Sequence, residues 1–522
     1  MKAMKHIIRF SLLVAALTLA VACDKEYMET TPESSTSPAT IFSSTTNIPL
    51  AINGLSKMMT SQYLSTQGLN GEGTIKTWYG NHGNDLQRSD QAGWASLWNH
   101  TMNESVNSTY LIYPWYYYYK IIGNANLVIE NVDNAEGPEV ERQFYKAQAL
   151  VFRAHAYTML MQLYAYRWQD SNNGAAKGVA LRLSSETTDE GTYDLPLSTQ
   201  AECYAQIYAD CDEAISLFKS CGIDRGSDEF YKPNINVAYA VKTRAALVRE
   251  DWATVAACAP EARKGHPLMS AEEYVDGGFS DENKEWIWGV YEAEDQTLYY
   301  YSFFAYQASN ASSSMQRGRP LAISKELYDQ IPETDVRRKM WLEPTPEEWA
   351  ACNAVNKAGS SFAARAKAEY GNKLYATSQI FAYMSFKFQC TFTPGGGSFN
   401  VYRSAEMILS EAEAQCHLGN DAAAQALLKE LNKNLDPAYD CTKTGADLLN
   451  EVKLYRRIDL WGEGFDWFDY KRWNEPIVRK SKAEGGSFQA AYAVTINVGD
   501  GNKWTWKIPK RETDYNKLIS LE

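Results

Sequence analysis

The sequence predicts a mainly α-helical fold: helix pairs form a scaffold, and a long, irregular, loop-rich insertion is expected to carry the binding face. Three observations predict it. Apolar residues recur at helical spacing in several separated stretches, and short polar turns divide those stretches into pairs. Over residues 265–397 the periodicity fades, and Gly, Ser and aromatic residues take over.

The chain opens on a different kind of segment. Lys2, Lys5 and Arg9 flank the start of a mostly apolar run from Phe10 to Ala22, and Ala20, Val21 and Ala22 lead into Cys23. An apolar helix of that length rises only ~20 Å, short of a ~30 Å hydrocarbon core. Residues 1–22 therefore read as an export signal peptide. Small residues before a cysteine resemble the lipobox of bacterial lipoproteins, with Ala20 where Leu is usual, so Cys23 is the expected lipidation site. From Glu29 to Thr46 the chain is mostly Ser, Thr and Pro, with little to bury. Residues 23–46 read as a lipidated flexible tether. No later stretch approaches ~18 consecutive apolar residues. Residues 47–522 read as a single domain.

The helices follow in order. Residues 115–132 and 140–167 carry two long helical patterns. In 200–219, Tyr204, Ile207, Tyr208, Cys211, Ala214, Ile215 and Phe218 repeat at three and four. Residues 236–263 continue with Ala-rich faces and a turn at Glu250-Asp251-Trp252. Residues 401–434 repeat the pattern around a turn at Leu418-Gly419-Asn420. Helix, short turn, helix, with small residues where helices touch, is the tetratricopeptide-like arrangement, expected over about 115–263 and 401–475. Trp286, Ile287 and Trp288, just inside the insertion, read as a strand.

Composition bounds the partners. A net charge of −13 argues against nucleic acid or anionic lipid as a ligand. That charge fits an uncharged ligand better than a polyanionic one, and with 34 Tyr and 15 Trp the chain is also rich in aromatic rings. Beyond Cys23, eight cysteines remain without a CxxC or a Cys/His pattern at zinc spacing, and most read as free, buried thiols. No metal and no cofactor is expected.

A family resemblance rests on longer motifs. The run Tyr145 to Tyr157, with Phe152-Arg153-Ala154, followed by Leu160 and Leu163-Tyr164, resembles a helix of SusD/RagB-type proteins. Arg403 to Gly419, with Glu411-Ala412-Glu413-Ala414, resembles a second segment of that family. Most specific is Arg456-Arg457-Ile458-Asp459-Leu460-Trp461-Gly462-Glu463-Gly464-Phe465, continuing to Arg472-Trp473, which is similar to its C-terminal signature. The close at Ile508-Pro509 with Glu512 and Asn516 fits too. Tyr455, Asp459, Asp466 and Lys507 depart from the usual pattern, which puts local salt bridges in doubt. The resemblance implies an outer-membrane, cell-surface lipoprotein, anchored through its lipid, that captures oligosaccharides and delivers them to a SusC-like TonB-dependent transporter. Catalytic residues are not part of that expectation. Within the signature, Arg456, Arg457, Glu463 and Asp469 are expected to pair charges between helices, with Leu460, Phe465 and Phe468 filling the interface.

A sugar site needs aromatic faces for the apolar side of a pyranose and polar groups for its hydroxyls. Two segments meet that description. Residues 77–103 hold Trp78, Asp85, Arg88, Trp94, Trp98 and Asn99; residues 299–319 hold Tyr299 and Tyr301. Each aromatic group fits a buried core as well, and Asp85 with Arg88 fits a local ion pair. The tyrosine run 116–119 covers more than one helix face and reads as core and helix contact. Gly395-Gly396-Gly397 lacks the Lys-Ser/Thr of a phosphate loop and reads as a tight turn. Two further functions stay open: a glycoside hydrolase, for which no carboxylate pair is nominated, and a structural or adhesive envelope protein.

Overall fold

The computed structural model describes residues 37–63, 68–88, 95–188, 191–192, 194–291, 302–499 and 504–520. The expected signal peptide and lipidation site Cys23 lie outside these residues, as do Trp94, Tyr299 and Tyr301.

The fold is mainly α. Helix α1 (Pro49–Met58) packs on α2 (Thr109–Asn131), which lies along α3 (Glu139–Tyr164). Then α4 (Gln200–Cys221) packs on α3, and α5 (Ile235–Arg249) on α4. Helix α6 (Trp252–Ala262) folds back on α5. After the insertion come α7 (Ser404–His417), α8 (Asp421–Asn432), α9 (Gly445–Asp459) and α10 (Asp466–Trp473). A short α11 (Lys510–Tyr515) closes the chain's described helices.

Local chemistry explains the boundaries. Helix α4 begins in a capping box: Thr199 Oγ1 accepts from the Glu202 N–H at 3.2 Å while Glu202 Oε2 accepts from the Thr199 N–H at 2.8 Å. It ends at Gly222, whose φ of 63° is open to glycine at little steric cost. Between α5 and α6 a two-residue turn serves both ends. Glu250 takes a left-handed φ of 60°, and the Asp251 carboxylate caps the Thr254 N–H at 3.2 Å.

Helix α2 starts six residues before the expected position, at Thr109, and runs through Pro114. Proline removes one N–H and displaces the carbonyl ladder behind it. Three polar groups around this break find long-range partners. The Tyr79 hydroxyl donates to Tyr110 O at 2.5 Å, the Tyr164 hydroxyl donates to Leu111 O at 2.7 Å, and the Trp115 N–H donates to the Tyr164 oxygen at 3.1 Å. Tertiary contacts thus carry the helix past its proline.

The two helical sets, separated in sequence by the insertion, join in space. Helix α6 packs directly on α7, where Ala246, Leu247, Val255 and Ala414 form a small apolar contact. Trp252 stacks on His417 with centroids 4.0 Å apart, and Arg263 pairs with Glu430 at 2.7 Å. The insertion leaves and re-enters this array through an antiparallel strand pair. Strand β2 (Trp286–Val290) pairs with β4 (Phe399–Arg403). Before them, β1 (Leu86–Arg88) pairs with β3 (Leu321–Ile323), tying the segment ahead of α2 to the insertion. The eight described cysteines are free thiols, six of them buried. Among the described residues no helix is long and apolar enough to cross a membrane.

Candidate ligand-binding groove

The C-terminal signature is occupied by internal pairing. Arg403 donates to Glu285 at 2.8 Å, to Asp459 at 2.6 Å and to Glu463 at 2.8 Å, with every one of these side chains buried. Lys387 adds an ion pair to Glu463 at 2.7 Å, and Arg337 pairs with Asp459 at 2.9 Å. Burial raises the Glu463 carboxyl, but Arg403 and Lys387 outweigh it and hold it well below the usual carboxylate range. Arg456 joins α9 to α10 through Asp469 at 2.7 Å. This lattice fixes the insertion against α9 and α10, leaving none of its carboxylates free to act on a substrate.

Two departures from the signature have structural consequences. Asp459 accepts from both Arg337 and Arg403, so the shorter side chain still pairs. Asp466 makes no direct ion pair among the described residues: its Oδ2 accepts the Asp85 N–H at 3.1 Å, and its buried Oδ1 has no hydrogen-bond partner among them. Burial and the neighbouring Asp85 carboxylate raise this carboxyl well above its ordinary value, which favours its protonated form.

Of the sequence-predicted sugar residues of 77–103, Trp78, Asp85, Arg88 and Trp98 lie inside the protein and Asn99 is half-buried. Trp78 packs edge-on against Tyr306 at 4.9 Å and is 2% exposed. Trp98, 1% exposed, stacks on His82 at 4.5 Å and tilts against Tyr492 at 5.3 Å. Arg88 turns inward and donates to Arg319 O at 2.8 Å and Tyr306 O at 3.3 Å. Asp85 pairs with Arg457 rather than with Arg88. Asn99, half-buried, donates to Ala491 O at 2.9 Å. In this conformation the two described tryptophans present no ring face to solvent: Trp78 packs on the insertion through Tyr306, and Trp98 on the C-terminal part of the chain through Tyr492. The region of 302–319 is similar: Phe303, Phe304 and Tyr306 are buried.

A groove of about 770 Å³ lies elsewhere, between α2, the strap 182–186 and α11. One stripe of α2 forms its floor: Trp115, Tyr119, Gly123, Asn126 and Leu127, with Tyr116 and Lys120 on the rim. The strap is stapled to this helix. Asn126 Nδ2 donates to Arg182 O at 3.0 Å and to Ser184 O at 3.1 Å, and the Ser185 N–H donates to Glu130 at 2.9 Å. The opposite wall hangs on Glu512, which pairs with Arg182 at 3.0 Å and accepts from Trp115 Nε1 at 3.1 Å and from Asn516 at 3.0 Å. Glu512 and Asn516, part of the chain's closing motif, therefore position a wall of the groove.

Two exposed tyrosines line the groove. Tyr116 is 38% exposed and Tyr515 is 81% exposed. The sequence assigned the 116–119 run to packing, which Tyr117 and Tyr118 obey by being buried; Tyr116 points the other way. Aromatic faces beside serine, asparagine and charged side chains suit a ligand with apolar faces and a hydroxylated edge. Of the two carboxylates among the described lining residues, Glu512 is committed to its three donors, which leaves Glu186 where glycoside hydrolysis needs a pair. Among the described residues no group of three or more His, Cys, Asp or Glu could hold a metal ion. The groove eludes sequence reading because its three segments are far apart in the chain.

Residues 26–247 match a family model described as starch-binding associating with outer membrane, and residues 272–519 match the model of the SusD family. The fold is similar to that of a SusD-like carbohydrate binding protein from Bacteroides vulgatus ATCC 8482, with a TM-score of 0.73 at 23% identity over 91% of this chain and 97% of that one. It is also similar to a SusD superfamily protein from Bacteroides thetaiotaomicron VPI-5482, with a TM-score of 0.72 at 20% identity over 91% and 99%. At these identities the likeness is one of fold. No curated protein matches the chain.

Proposed function

The chain belongs to the SusD/RagB-like family, and from that premise we propose that it is a lipid-anchored, cell-surface glycan-binding protein. It captures oligosaccharides in the groove between α2 and α11 and delivers them to a SusC-like TonB-dependent outer-membrane transporter, without chemistry of its own. The observation that carries the reading is the pair of solvent-facing rings, Tyr116 and Tyr515, on a groove of about 770 Å³ that also offers hydrogen-bonding side chains. A pyranose stacks its C–H face on such rings while its hydroxyls exchange water for polar partners at the edge.

The lipid anchor at Cys23 and the residues that follow it give the placement its rationale. The expected tether is shorter than 23–46, because residues 37–46 fold onto the domain through helix Pro38–Ile41, buried Thr45 and a Thr45 N–H bond to Glu136 O at 2.8 Å. More than one acyl chain holds a protein stably on a membrane. Tethering beside a transporter also raises effective concentration, so modest affinity suffices for handover.

The test is binding of the soluble protein lacking residues 1–23 across a broad glycan array, with Tyr116→Ala and Tyr515→Ala alongside. Saturable binding that falls at least tenfold in either variant, with both still folded, supports the reading. Binding that survives both variants moves the site away from this groove. Accumulation of shortened products would instead favour a hydrolase. For the anchor, Cys23→Ala should leave the protein unlabelled by radioactive palmitate; undiminished labelling would remove Cys23 as the acylated residue.

A further inference from the structure

The charges around the groove go beyond a general sugar site. Five charged residues line it: Lys120, Arg182 and Arg511 against Glu186 and Glu512. Arg182 and Glu512 cancel each other in their 3.0 Å pair. Lys120 and Arg511 are exposed, and neither has an ion-pair partner among the described residues. Among the described lining residues, Glu186 is the single opposing charge that remains. In a chain of net charge −13, a ligand groove whose unpaired charges sum to a positive value is a local reversal.

The placement of these cations repeats. On α2, Lys120 follows Tyr116 by one helical turn, and its ammonium lies 5.9 Å from the ring centroid. On α11, Arg511 precedes Tyr515 by the same spacing, in a helix spanning Lys510–Tyr515. Each exposed ring on the groove thus has a cation one turn away on its own helix. A sugar ring stacked on either tyrosine would carry its ring substituents toward that cation.

We propose that the groove selects acidic oligosaccharides, whose pyranose rings stack on Tyr116 and Tyr515 while carboxylate or sulfate substituents meet Lys120 and Arg511. This rests on the glycan-binding reading above and narrows it to a substrate class. Arg511 suits either anion, since its planar fork can donate two parallel hydrogen bonds to a carboxylate or a sulfate; Lys120 contributes a point charge. Because both cations are exposed, their contribution is screened by salt, whereas ring stacking is not.

The experiment is calorimetric titration of the soluble protein with oligogalacturonates beside their carboxyl-reduced neutral counterparts, and with chondroitin sulfate oligosaccharides beside their desulfated forms. The expected result is at least tenfold tighter binding of one acidic series than of its neutral counterpart at ~0.1 M salt, narrowing at ~1 M as the screening length shortens. Preference in the first comparison identifies a carboxylate and in the second a sulfate. The double variant Lys120→Gln/Arg511→Gln should bring the ratio toward one, and Glu186→Gln should raise it. Equal binding of acidic and neutral forms, lost in Tyr116→Ala, overturns the acidic preference and leaves the glycan-binding reading in place. An acidic preference unchanged in the double variant overturns the assignment to this groove. No binding of these probes, with a neutral glycan bound on the array, also overturns the inference; no binding of any glycan overturns both.

Discussion

Arg457 grips Asp85 across 372 residues of chain, with Nε at 2.8 Å from Oδ2 and Nη2 at 2.5 Å from Oδ1. The pair locks the C-terminal signature to the segment that leads into α2. Asp85 is buried, and Arg457 keeps a fifth of its side chain exposed. Removing one member of a buried pair leaves the other poorly compensated, so Asp85→Ala is expected to cost roughly 3 kcal/mol in urea unfolding. An effect below about 0.5 kcal/mol would mean that this pair does not hold the two regions together.

Asp466 sits beside that pair with its carboxyl raised far above the ordinary value by burial and by Asp85. A raised carboxyl keeps its proton when folded and releases it on unfolding at pH values between its ordinary 3.8 and its raised folded value. Its contribution to stability therefore falls as pH rises. Asp466→Asn keeps an acceptor for the Asp85 N–H and cannot ionise. It should match the parent near pH 3 and exceed it by about 1 kcal/mol or more at pH 7. Denaturant melts at the two pH values decide it; a variant weaker than the parent at pH 7 would show that the charged form is the stable one.

Trp98 is a core residue here, stacked on His82 and tilted against Tyr492. Trp98→Ala should cost about 3–5 kcal/mol, the range for emptying a large aromatic site. A well-folded variant with unchanged stability and lost glycan binding would instead return the sugar site to residues 77–103.

The helix array was legible because a buried face repeats at helical spacing, and its turns carry their own signals: the Asp251 cap in Glu250-Asp251-Trp252 and a left-handed Gly419 in Leu418-Gly419-Asn420. Pro114 marks where the reading stopped short. Sequence places a helix start at Trp115, and only the distant hydroxyls of Tyr79 and Tyr164 explain how α2 continues through the proline. The site was less legible for a related reason. Trp78, Trp98 and Arg88 have the composition of a sugar site, but composition does not say which side of a segment faces water. The groove brings together residues 112–127, 182–186 and 509–515, which no local pattern connects. A local signal did exist in the spacing of Tyr116 with Lys120 and of Arg511 with Tyr515.

Acid stability should reflect Glu413. Burial pushes its carboxyl up, but Arg472 at 2.5 and 2.6 Å and the Trp473 N–H at 2.9 Å outweigh it, taking the carboxyl down to about 2. A depressed carboxyl contributes stability that is fully present above its unfolded value near 4.5 and is lost as pH falls toward 2. Over that window the group should account for about 3 kcal/mol. Glu413→Gln should be less stable than the parent at pH 6, with the gap closing by pH 2–3 in urea melts. A gap that stays constant with pH would place the lost stability in packing rather than in the ion pair.

Gly123 offers a way to close the groove without touching its polar groups. It lies mid-helix on the floor, and a Cβ built there meets no atom within 4 Å. Glycine in a helix interior costs about 1 kcal/mol relative to alanine, so this position forgoes stability that a methyl would supply. What the missing side chain leaves is room beside Tyr119 and Lys120. Gly123→Ala is therefore expected to raise stability by up to about 1 kcal/mol while occupying little of the groove. Gly123→Trp should fold and fill the floor, reducing glycan binding at least tenfold. The pair of variants separates space from fold, because both replace the same glycine in the same open position. If Gly123→Trp binds as the parent does, with a melting temperature no lower, the ligand does not use this groove.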